Sequence, residues 1–407
     1  MATRLEDVPS DLIVEFDHMD QTMNDTFHER LGEIRDRLPV AYTPAHGGFW
    51  LISGYDEVHA AVRDWETFSS TEASIPSNHA GAKVLPVEVD PPDHAAYRQV
   101  LNPLFSPSRM KTLEGQIREL TVDLIDAFAG TGRCEFVSEF AHPLPTNTFL
   151  AMMGWPKDDT PQFVRWNEDI LLGKPAGTAE ESAEVRSAAN REVFAYFERM
   201  VAERRGREGD DADDVTALVM NTVLDGERTM TLDELQRMFW VLMLGGLHTV
   251  RAVLAFGMIH LIEHPGARQR IIDDPSAIPS VVEELLRLDA PVSPGRLVMR
   301  DVELGGVPIK AGDRVLIALP GACRDPREFD RPDELVVNRV PNRHLAFNGG
   351  PHRCVGSTLA RVELTVALEE IHRRIPDYRL DPDREIVKYS SQIRGVNALP
   401  LLFTPAG

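Results

Sequence analysis

The sequence predicts a mainly α-helical protein with a small antiparallel β region, built as one domain over residues 1–407. Three observations predict this. Apolar residues recur at helical spacing through most of the chain, short β-prone runs cluster between residues 297 and 319, and no repeat or low-complexity tract separates two halves. About the first 20 residues read as an N-terminal extension.

Composition narrows the function classes. The chain has 407 residues, 43% apolar and 26% charged, ordinary for a globular protein able to bury a large core. Lys and Arg number 43 against 64 Asp and Glu, a net charge of −21. That excludes a protein that coats nucleic acid or anionic lipid with its whole surface. Cys134, Cys323 and Cys354 are too few for a disulfide framework and too far apart for a C-x-x-C zinc site. They fit a reducing compartment. The N-terminus, MATRLEDVPSDLIVEFDHMD, has no uninterrupted apolar core of a secretory signal. The longest strongly apolar stretch, around Phe239–Leu247, is about half of a membrane span. A cytoplasmic protein without a nucleic-acid or membrane partner is expected.

Taken along the chain, Glu72–Pro92, Pro156–Pro175 and Arg204–Asp214 read as loops. The last carries GREGDDADD, an acidic run without the ligand spacing of a calcium loop. Met110–Ala129 reads as a helix, with Leu113, Ile117, Leu120, Leu124 and Phe128 on one side and Gly130 as its stop. Ser182–Arg205 reads likewise. Thr231–His264 is the longest helix, opened by the capping pair Thr231 and Glu234 and closed before Pro265-Gly266. At 1.5 Å per residue it spans about 50 Å, and its apolar middle should be buried. Leu297–Glu303, Val307–Ile309 and Arg314–Leu319 read as strands around glycine turns. A second, weaker strand pair is expected near Gly48–Ser53 and Leu401–Phe403.

The segment Phe347-Asn348-Gly349-Gly350-Pro351-His352-Arg353-Cys354-Val355-Gly356 carries the most chemistry. Glycines let backbone N–H groups converge, the helix that follows adds positive potential, and His352 and Arg353 add charge. All of this favours thiolate at Cys354. Such a sulfur serves as a nucleophile, a metal ligand or an inert buried thiol. No partner base is evident, and an iron–sulfur cluster needs more cysteines, whereas a single axial bond to haem iron needs one.

Phe347-x-x-Gly350-x-x-x-Cys354-x-Gly356 resembles the haem-thiolate signature of the cytochrome P-450 family. Three further features agree in order. Glu284-Leu285-Leu286-Arg287 is similar to the family's E-x-x-R motif. Arg339 sits where the family places the arginine that completes that ion-pair network. Gly245-Gly246-Leu247-His248-Thr249 lies where the oxygen groove of the long central helix belongs. The resemblance runs from about residue 10 to the C-terminus and is closest to soluble bacterial members, the camphor-hydroxylating group among them.

The resemblance implies a cytochrome P-450 fold with haem b between the central helix and the cysteine loop, and Cys354 as the axial iron ligand. His94, Arg98, Arg296 and His352 are then the propionate contacts, Phe347 packs near the sulfur, and Gly356 opens the helix behind it. Gly245 and Gly246 form the O2 groove and Thr249 steers protons. His248 stands where the family usually has Asp or Glu, which alters the relay and keeps open an alternative oxidation, C–C or C–N coupling of an aromatic or peptide-derived compound. Glu284, Arg287 and Arg339 lock the structure beneath the haem. Ala82, Val84, Leu85, Val87, Val241, Leu244, Val292 and Ile393 are the expected pocket wall, apolar enough for a small-to-medium hydrophobic substrate. Ala82 takes the place of a hydrogen-bonding tyrosine in the camphor enzyme. With no flavin or nicotinamide domain, electrons come from a ferredoxin and its reductase, docked on a patch including Arg98, Arg109, Arg343 and Arg361. A monomer is expected.

One competing pattern is present. His260-Leu261-Ile262-Glu263-His264 matches the H-x-x-E-H zinc motif, but it ends at Pro265, where histidine is also favoured by the helix dipole.

Overall fold

The computed structural model describes residues 3–76, 83–174, 177–205, 214–224, 226 and 228–405. Its helices are α1 (Phe27–Arg37), α2 (Tyr55–Ala61), α3 (Asp93–Leu104), α4 (Pro107–Ala129), α5 (Pro143–Met153), α6 (Thr160–Leu172), α7 (Ala179–Arg205), α8 (Val215–Asn221), α9 (Leu232–Glu263), α10 (Pro265–Asp273), α11 (Ile278–Leu288), α12 (Leu319–Ala322) and α13 (Ser357–Arg374). Its strands are β1 (Val40–Thr43), β2 (Phe49–Ile52), β3 (Phe68–Ser69), β4 (Arg133–Glu135), β5 (Gly295–Val298), β6 (Val302–Leu304), β7 (Val307–Ile309), β8 (Arg314–Ile317), β9 (Arg379–Leu380), β10 (Val387–Tyr389), β11 (Gly395–Ala398) and β12 (Pro400–Leu402).

Helix α9 organises the molecule. The Thr231 hydroxyl accepts the Glu234 N–H while the Glu234 carboxylate accepts the Thr231 N–H at 2.8 Å, a full capping box. Arg228 and the Tyr97 hydroxyl also donate to Glu234. The N-terminal half of α9, through Leu247, buries Leu235, Met238, Phe239 and Met243, and the helix packs on α5, α6 and α7. From Val250 onward it buries a second apolar set against α11 and α13. Between the halves the burial breaks: Gly245 is exposed, and Leu244, Gly246 and Thr249 are half-buried. A core helix is thus laid bare at its middle. It is long and apolar enough to cross a membrane, yet 67% of its most apolar window is buried inside the protein.

The β region departs from the expected all-antiparallel sheet. The main sheet runs β1-β2-β8-β5-β3, and β2 pairs with β8 in parallel, Leu51 opposite Leu316. All four β2 residues are buried, as a parallel pair covered on both faces requires. The stretch Gly48–Ser53 does hold a strand, but not one paired with Leu401–Phe403. Instead β12 joins β4 and β9 in a separate sheet. The expected run Leu297–Glu303 is broken. β5 joins the main sheet, Met299–Asp301 turns outward, and β6 forms a hairpin with β7 through Gly305 and Gly306, both at positive φ.

Two further expectations change. Pro156–Pro175 is not a loop, because Phe163, Trp166 and Ile170 are buried at helical spacing and Pro161 sits in the first turn of α6, where it is tolerated. Residues 3–20 do not trail away as an extension. Val8, Val14 and Phe16 are buried, and Val14 donates to the Tyr42 carbonyl at 2.8 Å. Most of the acidic loop, residues 206–213, lies outside the described residues. Arg204 and Asp214 pair across its ends at 2.5 Å.

Candidate active site

The cysteine loop closes on itself: the Cys354 N–H donates to the Phe347 carbonyl at 2.9 Å. Asn348 is in the left-handed region at φ 60, which Asn tolerates, and its Oδ1 accepts the Gly349 N–H at 2.9 Å. Two of the glycines, Gly349 and Gly350, have a packing role. A Cβ on Gly350, itself at φ +61, would lie 2.4 Å from the Val62 carbonyl, and one on Gly349 would lie 2.7 Å from Val62 Cγ2. The loop therefore fits flush on the end of α2. Cys354 itself is exposed. The surrounding protein pushes its thiol above the ordinary range, while the Gly356 backbone N–H, Arg98, Arg353 and Arg361 pull the other way. The expectation that the loop alone yields a thiolate is corrected accordingly. A bound metal cation is the further charge that deprotonates such a thiol. The Arg361 guanidinium lies 4.6 Å from the centre of the Phe347 ring and pairs with Glu283 through both Nε (2.6 Å) and Nη2 (2.9 Å).

Beside this loop the structure gathers the four predicted propionate contacts. The rings of His94 and His352 lie 4.3 Å apart. Burial, then Arg98, lowers the His94 pKa to about 4, and burial, then Arg296 and His94, holds His352 well below its ordinary value. Arg98 Nη1 donates to the Arg353 carbonyl at 3.0 Å. Arg296 is 4% exposed, and its Nη1 donates to its neighbour's carbonyl, that of Gly295. Burial pulls its pKa to about 10 against the nearby Asp90. A buried guanidinium without a carboxylate pair is a site that calls for an anion. Asp90, which sequence reasoning passed over, lies 3.4 Å from His352 Nε2 and accepts from Ser69 Oγ and the Ser70 N–H.

On α9 the Thr249 hydroxyl donates to the Gly245 carbonyl at 2.9 Å, as its spacing predicts. Among the described residues, no atom outside the helix's own backbone and the adjoining residues lies within 4 Å of a Cβ added at Gly245 or Gly246, so close helix packing does not explain the pair. Leu244 and Val355, neighbours of Gly245 and Cys354, pack against the same apolar cluster. His248 points elsewhere. It is fully buried, its Nε2 lies 2.9 Å from the Asn167 carbonyl, and its ring lies 5.9 Å from that of His142. Burial, Arg251 and His142 hold its pKa well below the ordinary value. His248 is therefore a neutral, anchored ring. Of the groups around it, Arg251 lies one turn further along α9, while His142, Asn167 and Glu168 come from distant segments that no spacing in the sequence announced.

The predicted lock is assembled. Glu284 accepts from Arg287 Nε (2.7 Å) and Nη2 (3.1 Å), Arg339 Nε (2.9 Å), the Val336 N–H (2.9 Å) and Asn342 (3.1 Å). Arg287 also donates to the carbonyls of Cys323, Pro332 and Glu334. Burial alone would raise the Glu284 pKa, but these partners, Arg287 first, bring it below the ordinary range.

The predicted pocket wall is only partly as expected. Val292 and Ile393 meet in an antiparallel bridge, and Val84, Val241 and Leu244 are half-buried. Leu85 is buried and Val87 is 40% exposed, so adjacent turn positions face opposite ways. Glu88 is buried and accepts the Val84 N–H at 2.9 Å, which fixes that turn. Ala82 lies outside the described residues. Of the arginines expected in a basic patch, Arg343 pairs with Glu328 and Arg361 with Glu283, so neither is a free cation. In the H-x-x-E-H pattern one nitrogen of each histidine is engaged, His260 Nε2 with Asp289 and His264 Nδ1 with the His260 carbonyl, while one ligand atom each of His260, Glu263 and His264 lie within 4.8 Å of one another.

An accessible sulfur beside apposed imidazoles, a buried guanidinium and a bare glycine backbone fits an iron porphyrin. It offers one axial ligand, cations for two carboxylates and an open distal face, so fold and site together define a haem-thiolate enzyme. The family model for cytochrome P450 matches residues 19–387. The chain belongs to the cytochrome P450 family, is a monooxygenase and uses haem b. It is 32% identical over 400 residues to 6-deoxyerythronolide B hydroxylase of Saccharopolyspora erythraea, covering 93% of this chain and 97% of that one. It is 32% identical over 362 residues to steroid C26-monooxygenase of Mycobacterium tuberculosis, covering 88% and 96%. The crystal structure of CYP101J2 superposes with a TM-score of 0.87 at 29% identity, covering 98% of this chain and 99% of that one.

Proposed function

We propose that this chain inserts one atom of O2 into a small-to-medium hydrophobic substrate, with electrons from a ferredoxin and its reductase, acting as a monomer in the cytoplasm. The observation that carries this reading is the bare middle of α9, where the Thr249 hydroxyl donates to the Gly245 carbonyl and a Cβ at Gly245 or Gly246 would meet no neighbouring side chain, in a chain whose Cys354 is exposed. Haem held by Cys354 supplies the activation of O2. His94, Arg98, Arg296 and His352 supply the cations and donors for its carboxylates. Phe347, under Arg361, shields the sulfur from water. Thr249 holds a proton at its Oγ1 at the groove. Val84, Val241, Leu244, Val292 and Ile393 offer an apolar wall. Named relatives act on 6-deoxyerythronolide B and on a steroid, which supports a hydrophobic substrate of natural-product type.

A second reading, oxidative C–C or C–N coupling, is favoured by one observation: the residue before Thr249 is a neutral histidine turned to Asn167, not a carboxylate. Turnover under 18O2 separates the two. Labelled product supports insertion, and unlabelled coupled product supports the second reading. Cys354→Ser should abolish the thiolate-type spectrum of the reduced CO complex, and an unchanged spectrum would overturn the ligand assignment.

A further inference from the structure

Away from the haem side, a second cluster has metal-binding chemistry. Asp17, His18 and His46 each place one ligand atom within 4.8 Å of the others. His46 Nε2 lies 2.8 Å from Asp17 Oδ1, and His18 Nδ1 lies 3.9 Å from the same oxygen. His18 is 2% exposed, and neither of its ring nitrogens completes a hydrogen bond of good geometry. A buried ring nitrogen left without a partner is unfavourable, and a bound ion would satisfy it. The backbone of Ile75 acts on the same ring in the manner of the outer partner that orients a ligating imidazole.

The surrounding backbone is arranged to present these groups. His46 is held at φ 51, a left-handed conformation that costs a residue other than glycine about 1–2 kcal/mol. Arg314 Nη2 pins its turn by donating to the carbonyls of His46 (2.6 Å) and Gly48 (3.3 Å). Asp17 Oδ1 accepts the Met19 N–H at 2.9 Å. The Thr43 hydroxyl donates to the Phe16 carbonyl at 2.7 Å and ties the two segments together. Side chains of Asp17 and His46 keep 34% and 24% exposure, which leaves an entry path and room for a water ligand.

We propose that Asp17, His18 and His46 bind one divalent transition-metal ion of the zinc class through one carboxylate oxygen and two imidazole nitrogens, with water completing a tetrahedron. The mixed nitrogen and oxygen donor set selects this class over magnesium or calcium, which take oxygen ligands. The ion joins the N-terminal segment to the β1–β2 turn. Through His18 it also bears on Ile75, at the start of the chain leading to the pocket turn at Val84.

The test uses the full haem-loaded chain, freed of loosely held metal by a chelator and titrated with Zn2+ against a chromogenic competitor. One equivalent should bind, with affinity reduced at least tenfold in His46→Ala and in His18→Asn and unchanged in His264→Ala. Zinc-edge X-ray absorption should show nitrogen and oxygen ligands with imidazole scattering and no sulfur. Zinc should raise the melting temperature of the wild type and not that of His46→Ala. Wild-type affinity equal to that of His46→Ala, loss of binding in His264→Ala instead, or a sulfur ligand would each overturn the assignment.

Discussion

Replacing Glu284 by Gln tests the lock beneath the cysteine loop. Glu284 and Arg287 are fully buried, and the Arg339 side chain is 8% exposed. One carboxylate therefore neutralises two buried guanidinium groups and accepts five hydrogen bonds. The amide keeps the volume but leaves two cations without their counter-charge, and a broken buried pair costs about 3–5 kcal/mol. At about 2.1 cal/mol/K per residue, a chain of 407 residues has an unfolding entropy of roughly 0.85 kcal/mol/K. The expected fall in melting temperature is then about 4–6 °C. Differential scanning calorimetry of matched haem-loaded samples reads it, with Arg343→Ala as the comparison. The Arg343 side chain is 66% exposed, so water screens that pair and its loss should leave the melting temperature nearly unchanged. If Glu284→Gln melts within 1 °C of the wild type, the carboxylate is not what balances the two arginines, and the argument from burial fails.

Four other perturbations follow from the same geometry. Glu363, buried on α13, has its carboxyl raised by burial from 4.5 to about 8. The native state then binds the extra proton between those values, so stability falls as pH rises from about 4.5 to 8, by up to roughly 5 kcal/mol. Glu363→Gln should flatten that fall in denaturant titrations from pH 5 to 9, and an unchanged pH slope rejects it. Gly245→Ala should stabilise the haem-free chain by up to about 1 kcal/mol, since no neighbour lies within 4 Å, while impairing turnover. Gly350→Ala should lower haem retention, because its Cβ meets the Val62 carbonyl; full retention would show that the loop adapts. His248→Asp buries a carboxylate beside Arg251 and should change the ratio of peroxide to product. A constant ratio removes this position from proton delivery.

What the sequence made legible was local. The capping box, the E-x-x-R pair and the cysteine loop are each set within ten residues, and their side chains meet because a helix or tight turn brings near neighbours together. The strands were visible as runs, but their partners were not. β2 sits beside β8, more than 260 residues away, and nothing in either run encodes parallel pairing. Helix α6 was hidden by Pro156, Pro161 and Pro175, whose turn signal outweighed Phe163, Trp166 and Ile170. A proline in a first turn starts a helix as readily as it ends one. The packing role of Gly349 and Gly350 was not visible, since Val62, their partner, lies nearly 290 residues earlier.

His248 shows how far residue type alone carries a functional argument. A histidine before Thr249 reads, in one dimension, as a titrating substitute for an acid. In three dimensions the helix turns successive residues about 100° apart, so the position before Thr249 looks toward α6 while Thr249 borders the groove. Burial then removes the charge that made histidine interesting, and the hydrogen bond to Asn167 fixes the ring. Any proton reaching Thr249 by way of this position must pass between neutral groups, with Glu168 as the nearby carboxylate. Glu168 lies 3.5 Å from His142 Nδ1, is 44% exposed and is held ionised first by its hydrogen bond with His142. The carboxylate of this buried cluster thus sits on α6, 44% exposed, and not on α9 beside Thr249.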